Sequence, residues 1–266
     1  MAVSLRSSLA VFAPLAVSFA VLLGVNLLPP DTALEAIETA GRLTVCAPPE
    51  LGPLVAQDAE RPGFEIALVE EAAKRSGWTV SITHNAAMAR EFNPRNWRIS
   101  RATCRLIVGG LRDNNWSRSL MEMSEPYLES AWVWVAPQGS EWPPSQIRFH
   151  PGIFAMDRVT LGTFLRGEGV RINPVQRPEL LLKDIEGDDW MTAITDSITA
   201  DYLFADTGLG ASLLPGGPAP QGISLGFWKG DTTLRRHMDE VLAAMHEDGT
   251  VERLAEEYGL TESLFR

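Results

Sequence analysis

Gly222-Ile-Ser-Leu-Gly-Phe-Trp-Lys-Gly-Asp-Thr-Thr-Leu-Arg235 is the stretch on which the reading of this chain turns. Its apolar run ends at Lys229-Gly230-Asp231, which predicts a buried strand followed by a turn. Asp231 or Thr232 then caps a helix, because a side-chain oxygen there can accept an orphan N–H of the first turn. Leu234, Met238, Val241, Leu242 and Met245 recur at helical spacing and make one face apolar. Gly249 stops this helix, since glycine takes the left-handed conformation at little cost. Thr250 opens a second helix, with Val251, Leu254 and Tyr258 inward and Gly259 as its stop.

Working back from this tail, strand and helix patterns alternate. Arg42–Ala47 is a buried strand, residues 48–62 a loop rich in Pro and Gly, and Gly63–Gly77 a helix with a glycine stop. Trp78–Ile82 and Arg105–Gly110 are further strands, separated by a polar stretch expected to contain a helix. Ser130–Ala136 is another strand. A second alternating unit follows: a strand at Val159–Gly162, a helix around Asp188–Ile198 and a strand at Ala200–Asp206. Such alternation indicates an α/β fold with helices on both faces of a parallel sheet. Breaker-rich segments at 137–150 and 214–221 enclose the middle of the chain. This layout predicts two lobes. Lobe one is discontinuous (42–137 and 221–266), lobe two is the insert (138–220), and the ligand sits between them near strand C-termini.

The chain has 266 residues and a formal charge of −11, enough length for two modest cores. This acidity repels nucleic acid and anionic lipid, so no nucleic-acid partner is expected. Four histidines, His84, His150, His237 and His246, show no metal-ligand spacing, and two cysteines 58 positions apart exclude Cys-x-x-Cys chemistry. No metal or cofactor is implied.

Residues 1–30 are set apart as a targeting segment. Arg6 is their only charge, and Leu9–Leu28 is uncharged and long enough to span a bilayer. Positive charge before the run and Asp31, Glu35 and Glu38 after it predict that the rest of the chain is exported. The length of the run and the lack of an Ala-x-Ala site favour an uncleaved signal-anchor over a cleaved signal peptide. A buried helix of a soluble protein is the remaining reading. Pro29-Pro30 ends the run, and residues 31–41 form a short acidic stalk. The expected location is the periplasm, with the inner membrane held by residues 9–28.

The tail resembles the C-terminal end of the family 3 periplasmic solute-binding proteins, receptors of polar amino-acid ABC transporters. Gly63-Phe64-Glu65-Ile66-Ala67-Leu68 resembles that family's Gly-Phe-Asp-Val-Asp-Leu opening, and Cys104–Gly110 its Cys/Ala-Asp-Leu-Ile-x-Gly strand. Ser117-Arg118 through Met123-Ser124-Glu125-Pro126-Tyr127 resembles its Arg…Val-Asp-Phe-Ser-Asp-Pro-Tyr segment, and Asp201–Asp206 its Asp-Ala-Val-Val-x-Asp strand. These matches span residues 42–266 in the correct order. The resemblance implies a type II periplasmic binding fold that captures a small polar, carboxylate-bearing ligand, an amino acid or a relative. It also implies a membrane permease or another inner-membrane partner, and no catalysis.

The same resemblance implies site residues. Arg118 is the nearest arginine to the family's carboxylate grip, one position off the usual spacing, and Arg112 stands where the family has a threonine after the glycine pair; either guanidinium suits a carboxylate. Asp206 falls where the family places the acid for the ligand amino group. Thr163, after Gly162, would clamp the carboxylate, with Gly110 and Glu50 lining the cleft. The first loop, Pro49–Leu54, lacks the stacking aromatic, Glu122 replaces an Asp and Met123 an aromatic, so specificity should differ from a standard amino-acid receptor. The fold places the strands of Cys46 and Cys104 side by side, and an oxidising compartment then favours a disulfide between them.

Three other readings stand beside this one. Asp206-Thr207-Gly208 is the triplet of aspartic proteases, but that chemistry needs two, and Leu209 follows where a small residue belongs. A periplasmic dehydratase of the prephenate or arogenate type shares the two-lobed fold and would need a cleft acid such as Glu50 or Glu122. The cysteine pair also resembles a subgroup associated with periplasmic quinoprotein dehydrogenases, which implies an accessory role.

Overall fold

The C-terminal tail folds as two helices. A strand at Gly226–Phe227 is followed by helices Thr232–Glu247 and Thr250–Glu257. Leu234, Met238, Leu242 and Met245 are buried along the first, Val251 and Leu254 along the second, and Gly249 between them has φ 74°. Asp231 begins the long helix without a side-chain cap bond; its carboxylate pairs instead with Arg101 at 2.9 Å. The computed structural model describes residues 14, 17–19, 30–90, 93–153, 158–182 and 192–260. The anchor expected over 9–28 therefore lies, apart from residues 14 and 17–19, outside the described residues. Among the described residues no helix is long and apolar enough to cross a membrane.

In chain order the elements are α1 (Ala33–Ala40), β1 (Arg42–Ala47), α2 (Phe64–Arg75), β2 (Thr79–His84), β3 (Leu106–Ile107), α3 (Asn115–Leu120), β4 (Glu122–Met123), β5 (Leu128–Ser130), β6 (Trp132–Ala136), β7 (Gln146–Phe149), α4 (Arg158–Gly167), β8 (Arg171–Pro174), β9 (Ala193–Asp196), α5 (Ser197–Phe204), β10 (Gly210–Leu213), β11 (Gln221–Ile223), β12 (Gly226–Phe227), α6 (Thr232–Glu247) and α7 (Thr250–Glu257). They build two five-stranded sheets, ordered β2-β1-β3-β12-β4 and β10-β6-β9-β7-β8. A two-stranded ribbon of β5 and β11 carries the chain between them.

In the first sheet β1 pairs in parallel with β2 and β3, and β12 runs antiparallel between β3 and β4. Helix α2 buries Phe64, Ile66, Leu68, Val69, Ala72 and Ala73, the stripe its sequence dictates. Arg75 at its end reaches Asp248 at 2.7 Å and ties α2 to the tail. The apolar run of the quoted stretch is not one strand. Its first part pairs with β5 in the ribbon and its second enters the first sheet.

The structure corrects five local expectations. Trp132–Ala136, expected in the first lobe, pairs with β9 and β10 in the second sheet, so the crossing occurs at β5. Val159–Gly162 is not a strand but part of α4, because Leu161 and Leu165, four apart, are both buried. The segment 193–196 is strand β9 rather than helix, while residues 188–191 lie outside the described residues. Asp201–Asp206 is not a strand: residues 197–204 are helix α5, started by Asp196, whose side chain accepts the N–H of Thr199 at 3.0 Å. Between β2 and β3 the described residues hold only a short 3-10 turn, Pro94–Asn96, instead of a helix. Asn85 and Asn93 there turn their side-chain oxygens on the N–H groups of Ala87 and Arg95, a use of asparagine that competes with helix.

Cys46 and Cys104 form a disulfide, with Cα atoms 5.6 Å apart. With Trp97, Ile107, Met121 and Met123 they make a small core of their own on one face of the first sheet.

Candidate functional site

The first sheet ends in a loop after β1 and in the pair Gly109-Gly110 after β3. Under that pair lies Glu65, from the first turn of α2 and fully buried. Its carboxylate accepts the N–H of Gly109 at 2.6 Å and of Gly110 at 3.0 Å, and the hydroxyl of Tyr127. Burial pushes the Glu65 carboxyl up to about 7, against the lowering effect of Tyr127 and the two glycine N–H groups. The same burial and the adjoining carboxylate push the Tyr127 hydroxyl well above its ordinary value. Glu65 thus sets the position of the glycine turn that faces the second sheet.

Two side chains of the second sheet meet this edge. Ile153, in the loop after β7, approaches Gly110: a Cβ there (φ 62°) would lie 3.0 Å from its Cγ2 methyl. Tyr202, on α5, approaches Gly52 in the first loop, where a Cβ would lie 3.1 Å from the ring. A side chain at either position would press on its facing neighbour, and the positive φ of Gly110 favours glycine there as well. The Ile153 loop is fixed by Asp196, the buried acid that ends β9. Its Oδ2 accepts the N–H of Ile153 at 3.1 Å, and its Oδ1 that of Thr199 and, at 3.5 Å, the hydroxyl of Ser130. Burial raises the Asp196 carboxyl, opposed by its bonds to Thr199 and Ile153.

The structure brings some of the expected site residues together and separates others. Gly110 and Arg112 share the turn after β3. Arg112 is buried, bridges through its backbone to Ile223 of β11, and donates from Nη1 to Gln221 at 3.0 Å. Its guanidinium therefore stands at the crossing ribbon. Arg118 is half-exposed on α3 and fastened to Asp113, Nη2 to Oδ2 at 2.7 Å, which holds it well protonated. Its neighbour Ser117 is the buried residue of that turn. Thr163 lies within α4, exposed, with its hydroxyl donated back to Val159 at 3.0 Å, so it ends no strand. Asp206 is exposed beyond α5; the acid at a strand end is Asp196. Glu50 is exposed in the first loop. Glu122 pairs with Lys229 at 3.4 Å, at the end of the first sheet opposite the glycine pair.

Glu65, Tyr127, Ile153, Asp196 and Tyr202 escape a reading of the sequence for site residues. Asp196 carries a local signal, since Asp-Ser-Ile-Thr is a helix-start pattern, and Glu65 and Tyr127 lie within the quoted family motifs, but none of these signals tells the role. Among the described residues no group of three or more His, Cys, Asp or Glu could hold a metal ion.

Residues 43–261 match the family of bacterial extracellular solute-binding proteins, family 3. The chain belongs to that family. No curated protein sequence matches this solute-binding protein. Solved structures do. An ancestral cationic amino acid solute-binding protein aligns with a TM-score of 0.70 at 17% identity, covering 85% of this chain and 99% of its own. The L-cystine solute receptor of Neisseria gonorrhoeae, in its unliganded open conformation, aligns at 0.67 and 18%, covering 88% and 99%. A substrate-binding protein of an ABC uptake transporter from Streptococcus pneumoniae, with bound histidine, aligns at 0.64 and 16%, covering 89% and 99%. The architecture is thus the two-lobed type II periplasmic binding fold, one lobe on each five-stranded sheet.

Proposed function

We propose that this solute-binding protein captures a small polar ligand bearing a carboxylate between its lobes, outside the cytoplasm, for a membrane-bound partner of the ABC permease type. The observation that carries this reading is Arg112. It is a buried guanidinium two residues beyond the glycine pair, beside Gln221 at the ribbon where the chain crosses from lobe to lobe. A guanidinium there suits a carboxylate in charge and in planar geometry. Arg118, bound to Asp113 at the surface, is the lesser candidate.

The ligand class includes amino acids and related carboxylates. Asp196 stands at the strand end but spends its oxygens on Ile153, Thr199 and Ser130, and Asp206 is displaced from it. Recognition of an ammonium group through either acid has less support than recognition of a carboxylate. Lobe two supplies an aromatic ring, Tyr202, against the first loop, which has none of its own. The apolar run 9–28 is read as the tether that keeps the receptor beside its partner.

Thermal-shift screening of a library of carboxylates and their uncharged analogues against the wild type tests this reading. A ligand at 100 times its dissociation constant adds about 2.7 kcal/mol, a readily visible rise in melting temperature. The expected result is a rise with at least one carboxylate that disappears in Arg112→Ala. A rise produced only by compounds lacking an anionic group would overturn it.

A further inference from the structure

The connection between β2 and β3 has a composition unlike the rest of the chain. Residues 85–105 contain Arg90, Arg95, Arg98, Arg101 and Arg105 against one acid, Glu91, a charge of +4. With −11 for the whole chain, the remaining residues carry −15. Arg90, Arg95 and Arg98 are exposed, and among the described residues no carboxylate pairs with them. Arg101 is different: it bonds the carbonyl of Lys229 at 2.8 Å and the carboxylate of Asp231 at 2.9 Å, so it fastens the segment to the tail.

The segment is irregular yet tightly held. Its regular structure among the described residues is the turn Pro94–Asn96. A connection this long without elements of its own is uncommon in a compact domain, and where it occurs it usually serves a function. The Cys46–Cys104 disulfide staples one end to β1. Trp97 is buried in the core around that disulfide, and its carbonyl accepts a bond from Asn85 at 2.9 Å. Next to it Arg98 stands at φ 56°, the one non-glycine residue with positive φ among the described residues. Such a conformation costs free energy and persists only where its surroundings impose it.

We infer that this arginine face of lobe one, Arg90, Arg95 and Arg98 on the stapled segment, is a docking surface for an acidic face of a partner protein in the same compartment. Charge complementarity supports a carboxylate-bearing protein surface, since fixed guanidinium forks match carboxylates in geometry as well as charge. A bilayer is the weaker occupant. The −15 borne elsewhere opposes approach to an extended anionic plane, whereas a protein face can match the patch alone. The proposal does not depend on which ligand the cleft takes.

The test uses the full chain. A photo-crosslinking residue at exposed Ala102 or Ala89 is activated in cells, with the same residue at exposed Glu168 of lobe two as control. The comparison is between the wild-type background and the triple variant Arg90→Gln, Arg95→Gln, Arg98→Gly. Arg98→Gly removes charge and suits the left-handed backbone, so the melting temperature should hold or rise. The expected result is a protein adduct from the arginine face whose crosslinked peptide is rich in Asp and Glu. Its yield should fall roughly tenfold in the triple variant and with added salt. In parallel, purified wild-type protein should bind poly-L-glutamate better than the triple variant and should not bind vesicles of phosphatidylethanolamine and phosphatidylglycerol. Adducts to lipid alone, vesicle binding lost in the triple variant, an adduct indifferent to the substitutions, or no adduct at all would overturn the proposal.

Discussion

Glu65 shows how a residue can be visible in a sequence while its role is not. The run Gly63-Phe64-Glu65 marks a helix start, where an acid suits the N-terminal dipole. Its burial depends on Gly109, Gly110 and Tyr127, which lie 44 to 62 positions away, and no local pattern encodes that meeting. The consequence is a pH dependence. The folded carboxyl titrates near 7, above its ordinary 4.5, so the fold binds this proton more tightly than the unfolded chain does. The contribution is fully present below 4.5 and is lost as pH rises through 7, on the order of 3 kcal/mol in all. Urea unfolding from pH 4.5 to 8 should show this decline in the wild type and a flatter profile in Glu65→Gln. Equal slopes would place the titration elsewhere. The arginines make the converse case. The family resemblance nominates both Arg112 and Arg118, but only the fold shows that one is buried at the ribbon beside Gln221 and the other is held at the surface by Asp113.

Among the elements, the tail was the most legible, since α6 and α7 carry their own period, start and stop. Lobe two was the least. Val159-Thr-Leu reads locally as strand, and the buried pair Leu161 and Leu165 makes it helix. Asp196-Ser-Ile-Thr holds both the end of β9 and the start of α5, and Asp206, the acid the family resemblance points to, lies ten positions downstream beyond the helix. The β2–β3 connection has neither period, and its order comes from long-range fastening. The Cys46–Cys104 bond closes a loop 58 residues apart in sequence, and such a cross-link stabilises by about 4 kcal/mol, mainly through the unfolded chain. Replacing both cysteines with alanine should lower the unfolding free energy in urea by that order. A change below about 1 kcal/mol would mean that Trp97 and its neighbours hold the segment unaided.

At the scale of the whole molecule, the two-lobed plan followed from alternation and from two breaker-rich segments, although the crossing lies at β5 rather than at 137. What the sequence could not show is how the lobes meet. Gly52 faces Tyr202 and Gly110 faces Ile153 closely enough that a Cβ at either would press on the facing side chain, so the lobes pack directly at these points. Gly52→Val should press on the Tyr202 ring and open the lobes, read as a larger radius of gyration in small-angle scattering. Adding Tyr202→Ala should reverse it, and an unchanged radius in Gly52→Val would show that this contact does not govern closure. The central claim is carboxylate capture at Arg112, and titration calorimetry tests it most directly, with a carboxylate that raises the wild-type melting temperature. Arg112→Ala should weaken binding by about 2–5 kcal/mol, roughly thirtyfold or more, while Arg118→Ala binds nearly as the wild type does. Undiminished affinity in Arg112→Ala would contradict the account.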